Sequence, residues 1–197
     1  MTNMKERTYR MTARAEATEA TGQRVIDGML ARLRTTPYER IRIDDIAADA
    51  GVTPQTVIRR FGSKAALMTT TVERELQRIV EKRESALRST PARTIRALVE
   101  HYDEYGSLIL KTYSEAPLVP GLPEIVARGR SYHLDWCRRA FSTDLAPQPD
   151  DATRQRRVAQ ILAICDATTW RILRIDGGLS PEQTELAISE LLTPLLR

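Results

Sequence analysis

The fold is decided by residues 43–67, which read IDDIAADAGVTPQTVIRRFGSKAAL. Apolar side chains recur at helical spacing in residues 43–50, and Gly51 follows at once, where helices commonly end in a left-handed cap. Thr53 and Pro54 are typical of the N-cap and the first residue of a second helix. Val57 and Phe61 lie four residues apart and can pack inward together. The segment therefore predicts two short helices joined by a glycine turn, over residues 43–62, and the start of a third helix.

The second short helix keeps a polar face away from its apolar stripe. Gln55, Thr56, Arg59 and Arg60 supply an amide, a hydroxyl and two guanidinium groups to this face. Such a face suits the major groove of DNA, where these groups pair with base edges and phosphates. An ordinary helical hairpin has the same spacing, so spacing alone leaves both interpretations open.

The amino-acid sequence of this segment resembles the helix-turn-helix of the TetR family of bacterial transcriptional regulators. The matching elements are Ile46-Ala47, Ala50-Gly51-Val52, Thr53, Thr56-Val57-Ile58, Phe61-Gly62-Ser63-Lys64 and Leu67. The resemblance is strong over residues 20–70 and rests on helix layout beyond them. It implies an all-α protein in which a three-helix DNA-binding domain precedes a helical domain for ligand binding and dimerisation. We expect the division at residues 66 and 67, giving domains 1–66 and 67–197.

The chemistry of the side chains indicates which of them are expected to meet the DNA. Gln55 and Thr56 are the best candidates for base edges, followed by Arg59, because Gln pairs with adenine and Arg with guanine. Arg60 and Lys64 are expected at phosphates. The full set of predicted DNA-binding residues is Arg42, Thr53, Gln55, Thr56, Ile58, Arg59, Arg60 and Lys64.

Two positions depart from the family pattern. The family usually has a DNA-contacting Tyr where Ile58 stands, and often His or Tyr where Arg60 stands. Ile58 can touch a thymine methyl group or pack partly inward. These departures bear on the operator sequence more than on the function.

The positive charge of the chain lies where the motif lies. The net charge is +4, and residues 1–64 hold twelve Lys and Arg against eight Asp and Glu, so the remainder of the chain is balanced. A basic segment around the motif agrees with a phosphate-binding surface. The N-terminus lacks the apolar stretch of a secretory signal, and no apolar run is long enough to span a membrane. We expect a cytoplasmic bacterial protein, associated with the nucleoid when bound to DNA.

Outside the motif, the apolar pattern predicts helices throughout. Residues 1–11 read as a polar tail, and a first helix is expected over residues 13–34. Residues 152–176 predict one long helix, stopped by Gly177-Gly178, and Ser180 to Gln183 read as a capping box that starts the last helix.

The last two helices are more apolar than a domain of this size needs for its own core. Two copies could meet through them as a four-helix bundle, and the resemblance implies such a homodimer; an intramolecular hairpin is the alternative. The predicted interface residues are Ile161, Cys165, Ile172, Leu186, Leu191 and Leu195. A two-fold dimer presents two recognition helices to successive major grooves, so the expected operator is an inverted repeat in double-stranded DNA.

The resemblance implies a ligand pocket among the middle helices, and the mixture of apolar and aromatic residues with a few hydroxyls favours a small, mostly hydrophobic effector. The candidate pocket residues are Tyr102, Tyr105, His133, Trp136 and Trp170, and the alternative for each is an ordinary core residue, which is the usual role of aromatic residues on a helix face. The two cysteines, Cys137 and Cys165, are expected to be reduced core thiols, with a redox-sensing pair as the alternative.

Other classes of function fit less well. The sequence has two histidines, no paired-cysteine metal spacing and no phosphate-binding glycine loop, so we expect neither an enzyme, a metal site nor a cofactor. The preferred interpretation is a ligand-released repressor. An activator or a broad DNA-binding protein without an inducer is the alternative, and a pure interaction module is a weaker one.

Overall fold

A computed structural model describes residues 2–84, 87, 90–141 and 149–196, with side chains described from residue 15 onward. The regular elements of these residues are all helical, which confirms the predicted all-α fold class. None of the described helices has the length and apolarity needed to cross a membrane.

The α-helices follow one another with short connections. They are α1 (Thr2–Thr35), α2 (Ile43–Ala50), α3 (Pro54–Phe61), α4 (Lys64–Glu84), α5 (Pro91–Glu115), α6 (Leu122–Phe141), α7 (Asp151–Ile164), α8 (Ala167–Trp170) and α9 (Pro181–Leu192). Short 3-10 turns cover Tyr38–Arg40, Ala116–Leu118 and Thr193–Leu195, and a π-helical turn covers Arg171–Asp176.

The chain forms two compact units. The first comprises Met1–Glu73 together with Pro117–Leu122, and the second comprises Arg74–Ala116 together with Pro123–Arg197. The sequence-based division at residues 66 and 67 thus differs from these units in two respects. The first unit includes the next seven residues of α4, and it includes the connection between α5 and α6.

The first unit is built around the predicted helix-turn-helix. The apolar stripe of α1 is fully buried at Val25, Met29 and Leu33, and α1 packs against α2, whose Ile46 and Ala47 are also buried. Thr53 caps α3 by accepting a hydrogen bond from the backbone N–H of Thr56, and Pro54 occupies the first turn, as predicted.

The start of the first helix was predicted incorrectly. The sequence suggested a polar tail up to residue 11 and a helix from residue 13, whereas α1 begins at Thr2. The first three turns carry no apolar stripe in the sequence, and hydrophobic periodicity was the signal used to place the helix.

The second unit has a continuous apolar core. α5, α7, α8 and α9 contribute to it, with α5 packed against both α8 and α9. The predicted capping box at the start of α9 is present, because Ser180 accepts from the backbone of Gln183 while the Gln183 side chain accepts from the backbone of Ser180.

The long helix expected over residues 152–176 is interrupted. α7 ends at Ile164, Cys165 leaves helical geometry, and Asp166 caps α8 by accepting from the backbone N–H of Thr168. The π-helical turn at Arg171–Asp176 then changes the periodicity again. Residues before and after Cys165 therefore do not share the face that a continuous helix would give them.

One close packing contact joins α5 and α8. Gly106 faces the ring of Trp170, and a Cβ atom placed on Gly106 would lie 2.5 Å from a ring carbon. The ring is held in place at its other edge, because its Nε1–H donates to Asp103 at 2.9 Å. The ring can therefore shift only by giving up this hydrogen bond.

We expect Gly106→Ala to destabilise the protein. Overpacking in a core costs about 1–3 kcal/mol, which outweighs the gain in helix propensity of up to about 1 kcal/mol from replacing glycine. Urea unfolding followed by tryptophan fluorescence measures the change. The matched control is Gly129→Ala in α6, where the added Cβ meets its nearest neighbour at an ordinary 3.6 Å. Equal or greater stability of Gly106→Ala would contradict the packing described here.

Candidate functional site

The outward face of α3 is a small exposed surface with polar and apolar groups side by side. Gln55, Thr56, Ile58 and Arg59 line a shallow, open depression on it. Val57, on the opposite side of the helix, is fully buried, and Ile58 is 43% exposed. Among the described residues, neither Gln55 nor Arg59 has a side-chain hydrogen bond or ion pair, so both are available to an external partner.

Two hydroxyl groups at the start of α3 are partly used within the protein. Thr53 Oγ1 caps the helix, and it lies 3.0 Å from Thr56 Oγ1. The Thr56 hydroxyl therefore contacts the capping hydroxyl of Thr53, while the Thr56 side chain also lines the depression.

The turn that aims α3 is fixed from both sides. Gly51 adopts a left-handed backbone, with φ of 67°, and its N–H donates to the end of α2. Arg24 of α1 then donates its Nε–H to the carbonyl of Ala50, the last residue of α2, at 3.1 Å. Arg32 of α1 adds an ion pair to Asp49 at 2.8 Å. Neither arginine was predicted from the sequence, because the partners of Arg24 and Arg32 are 26 and 17 residues away along the chain.

Arg60 has a different place from the one predicted. Its guanidinium donates to the carbonyl of Thr18 at 2.9 Å and pairs with Glu19 at 2.8 Å, both in α1. Gly22 makes this possible, since a Cβ at that position would lie 2.3 Å from the Arg60 guanidinium carbon. Because α1 already binds its guanidinium, we revise its role from a phosphate contact to a brace between α3 and α1.

Lys64 is also engaged within the protein. Its Nζ donates to the carbonyls of Tyr38 at 2.9 Å and Ile41 at 3.1 Å, and it lies 4.2 Å from the centre of the Tyr38 ring. A third carbonyl, that of Glu39, lies at 3.5 Å, so all three ammonium N–H groups have an acceptor nearby. We therefore revise Lys64 from a phosphate contact to a residue that fixes the start of α4 against the Tyr38–Arg40 turn.

Arg42 lies just before α2 and remains accessible. Its side chain is 73% exposed and, among the residues that the structure describes, makes only a long ion pair of 3.4 Å with Asp44. Exposed pairs of this kind contribute little and exchange readily for another anion. Its assignment to a phosphate stays a prediction.

The five residues proposed for the effector pocket are all buried in the second unit. Tyr102 lies near two of the others: its ring centre is 6.5 Å from that of His133 and 6.1 Å from that of Trp170. Trp136 follows His133 one turn further along α6. Tyr105 joins through His101, whose ring is 5.4 Å away. His101 belongs to this cluster, although the sequence analysis did not select it.

Most polar atoms of this cluster have partners within the chain. Tyr102 donates to the carbonyl of Cys165 at 2.8 Å, and Trp136 donates to the carbonyl of Arg83 at 3.2 Å. Burial raises the pKa of Tyr102 well above its usual value, so this phenol stays protonated. His133 Nδ1 lies 3.1 Å from Arg83 Nη1. The same residues thus serve as core, and a ligand-binding role stays a prediction.

The six predicted dimer residues divide into two groups. Ile161, Cys165 and Leu195 are buried in the core of their own protomer, so they cannot face a partner, and this part of the prediction is wrong. The reason is the break at Cys165, which places Ile161 and Cys165 on a face different from that of Ile172. Ile172, Leu186 and Leu191 are exposed.

The exposed members belong to a set of four exposed apolar side chains on two contacting elements. Ile172 and Ile175 project from the π-helical turn and are 52% and 57% exposed, while Leu186 and Leu191 of α9 are 58% and 48% exposed. The π-helical turn and α9 are in contact with each other. We call these four residues the terminal apolar patch. Ile175 was not among the predicted interface residues.

The described residues contain no group of three or more His, Cys, Asp or Glu side chains that could hold a metal ion. Both cysteines are free and buried. Cys137 and Cys165 share a hydrogen bond that lowers the pKa of the Cys137 thiol and raises that of Cys165.

Comparison with known structures identifies the fold. A transcriptional regulator from Rhodococcus sp. matches with a TM-score of 0.71 and 15% identity, covering 89% of this chain and 95% of that one. FadR from Bacillus subtilis, a transcriptional regulator solved with stearoyl-CoA, matches with a TM-score of 0.66 and 15% identity, covering 86% of this chain and 96% of that one. A putative transcriptional regulator from Saccharomonospora viridis, solved with choline, matches with a TM-score of 0.63 and 20% identity, covering 91% of this chain and 96% of that one. No curated protein shows a significant sequence match to the chain.

Residues 30–70 match the sequence model of the bacterial regulatory proteins of the tetR family, and this segment contains the helix-turn-helix formed by α2 and α3. The solved structures that share the fold include transcriptional regulators.

We expect Lys64→Ala and Arg59→Ala to separate stability from DNA binding. Lys64→Ala leaves the carbonyls of the Tyr38–Arg40 turn without their charged donor, and hydrogen bonds to charged groups contribute about 1.5–3 kcal/mol. Arg59→Ala removes a side chain without partners, so stability should change by less than about 0.5 kcal/mol, while DNA affinity falls. Thermal unfolding and fluorescence anisotropy with labelled duplexes measure the two effects. Unchanged stability in Lys64→Ala would restore the phosphate assignment.

Proposed function

We propose that the protein is a homodimeric repressor that binds an inverted-repeat operator in double-stranded DNA and is released by a small, mostly apolar effector. The observation that carries the DNA-binding part is the exposed face of α3, where Gln55 and Arg59 have no partner among the described residues. The site of action would be the bacterial cytoplasm, with the protein on the nucleoid while bound to DNA.

The roles of the α3 residues follow from their chemistry. The Gln55 amide can pair with one acceptor, N7, and one donor, the N6 amino group, of adenine, and Arg59 can pair with guanine. Ile58, which is half-exposed between them, suits a thymine methyl group. Arg42 is the candidate phosphate contact, and Thr53 and Thr56 hold the start of the helix in the groove.

A dimer is supported by two considerations. One short helix reads only a few base pairs, too few to select a single genomic site, whereas two related helices double the number. The terminal apolar patch supplies exposed apolar side chains on two contacting elements, and exposed apolar surface commonly marks association sites. With Ile161, Cys165 and Leu195 in the core, the proposed interface consists of Ile172, Ile175, Leu186 and Leu191.

An effector is supported by the composition of the second unit and by related structures. Its core holds several aromatic side chains together with buried polar groups, a combination found in sites for small organic molecules. Two proteins of the same fold were solved with bound molecules, stearoyl-CoA in one and choline in the other. A ligand that favours a conformation of the dimer with weak affinity for DNA lowers DNA affinity, and DNA lowers ligand affinity by the same factor.

Selection of binding sites from random duplexes tests the DNA-binding proposal. We expect enrichment of an inverted repeat, and Gln55→Ala should change the preferred base at one position of each half-site. The control is Arg154→Ala, which removes an exposed charge from α7 and should leave both affinity and preference unchanged. If Gln55→Ala kept the full preference, the orientation assigned to α3 would be wrong. Binding without enrichment would favour a broad DNA-binding protein.

We expect Leu186→Asp to dissociate the dimer. An aspartate in the terminal apolar patch must be desolvated on association, so the dimer Kd should rise at least about tenfold, equivalent to about 1.4 kcal/mol. Sedimentation equilibrium measures the monomer–dimer balance. Leu118→Asp is the control, because Leu118 is similarly exposed, at 51%, but lies outside the patch. A dimer unaffected by Leu186→Asp would place the interface elsewhere.

A further inference from the structure

The second unit contains a buried positive charge that lacks a negative partner. Arg83, in the last turn of α4, is only 6% exposed. Its guanidinium carbon lies 3.9 Å from the centre of the Trp136 ring, so the charge rests on an aromatic face. No carboxylate among the described residues forms an ion pair with it. Arg83 therefore departs from the usual rule that buried charges are paired.

The unsatisfied donors lie on one edge of the guanidinium. Nη1 is used by His133 at 3.1 Å, whereas Nε and Nη2 are buried and have no hydrogen-bond partner. Nε–H and the neighbouring N–H of Nη2 point in the same direction and form the fork that binds both oxygens of a carboxylate. Buried groups without partners are rare and call for a functional explanation.

A second buried group beside this charge is also unsatisfied. Neither ring nitrogen of His101 has a hydrogen-bond partner, and the side chain is 2% exposed. Burial, followed by the charge of Arg83, lowers the pKa of His101 to about 2, so the ring is neutral and retains one donor and one acceptor. Tyr102 and Tyr105 flank it, with ring centres at 5.0 and 5.4 Å. The surroundings of the two groups are thus aromatic and buried.

The nearby carboxylate and thiols are committed to other partners. Glu84, the next residue along α4, binds the guanidinium of Arg139 at 2.8 and 2.9 Å. Cys137 Sγ lies 3.7 Å from His133 Nε2 and shares a hydrogen bond with Cys165, so it neighbours the cluster without occupying the Nε–Nη2 edge. An anion for that edge must therefore come from outside the described chain.

We propose that Arg83 binds the carboxylate of a small apolar organic acid through its Nε–Nη2 edge, with Trp136, Tyr102 and the neutral His101 forming the surroundings of the acid. This inference rests on the proposed function, since it names the chemical class of the effector. It excludes a quaternary ammonium effector, because a second cation beside Arg83 would be repelled. Entry of the acid requires side chains around Arg83 to shift, as ligand-selected conformations commonly do.

Calorimetric titration of the full-length protein tests the proposal without DNA. The probes are octanoate, its neutral counterpart octanamide and the cation octyltrimethylammonium, all below micellar concentrations. We expect octanoate to bind at least tenfold more tightly than octanamide and the cation not to bind. Carboxylates from acetate to dodecanoate extend the series. Equal binding of octanamide, or saturable binding by none of the carboxylates, would overturn the proposal.

Variants localise the binding. Arg83→Met should lower octanoate affinity to that of octanamide, and Arg83→Lys should fall between the two, because lysine keeps the charge but loses the fork. Arg138→Met, which removes an exposed charge from α6, is the control and should bind octanoate normally. Without octanoate, Arg83→Met should be as stable as the parent or more so, because it removes an unpaired buried charge. Normal octanoate binding by Arg83→Met would overturn the proposal.

A spectroscopic readout places the event at the ring. The chain has two tryptophans, so Trp170→Phe leaves Trp136 as the only indole. Octanoate should change the fluorescence of Trp136, because its carboxylate pairs with the guanidinium of Arg83 above the indole ring. The additional change Arg83→Met should abolish this response. Failure of octanoate to release DNA, with binding at Arg83 intact, would refute the repressor mechanism while leaving the carboxylate site standing.

Discussion

The first unit depends on the left-handed turn at Gly51. Its N–H and that of Val52 close the end of α2 by donating to the carbonyls of Ala47 and Ala48, with Val52 to Ala47 at 2.9 Å. A side chain in this backbone conformation costs about 1–2 kcal/mol, which glycine avoids. α3 itself buries only Val57 completely. Its direction is therefore set mainly by this turn and by the arginines of α1 that hold the end of α2.

Basic side chains in the first unit serve two purposes. Arg24, Arg32, Arg60 and Lys64 all bind carbonyls or carboxylates of their own unit and brace the short helices. Arg59 and Arg42 remain outward. The positive balance of residues 1–64 thus overstates the number of cations that project toward DNA, although it still contributes a favourable long-range potential. The contrast with Arg83 is clear, since that guanidinium lies in an aromatic core with one edge unused.

The sequence was sufficient where the signal was local. The glycine turn, the Thr53 cap and the capping box at Ser180 involve residues at most five positions apart, and all three were predicted. The sequence was insufficient where the partner was distant. Arg60 meets residues 41 and 42 positions away, and Lys64 meets residues 23 to 26 positions away. A charge pattern shows that a residue is basic, and only the fold shows whether its charge faces inward.

The terminal helices illustrate a second limit. Reading residues 152–176 with one helical period assigned Ile161, Cys165 and Ile172 to the same face. Asp166 was a readable signal, because Asp is a common N-cap, but the apolar residues on both sides concealed the break. The π-helical turn has no comparable signature, and both Ile172 and Ile175 within it are exposed.

The connection between α5 and α6 gives the first unit an unusual covalent form. Residues 117–122 belong to it, and Thr69 of α4 lies close to Gly121 of this segment. The chain consequently passes between the two units three times, at residues 73, 116 and 122. The DNA-binding unit is therefore discontinuous in sequence, and a fragment that ends at residue 73 would lack one of its own pieces. A fusion that transfers the first unit to another protein must therefore include residues 117–122.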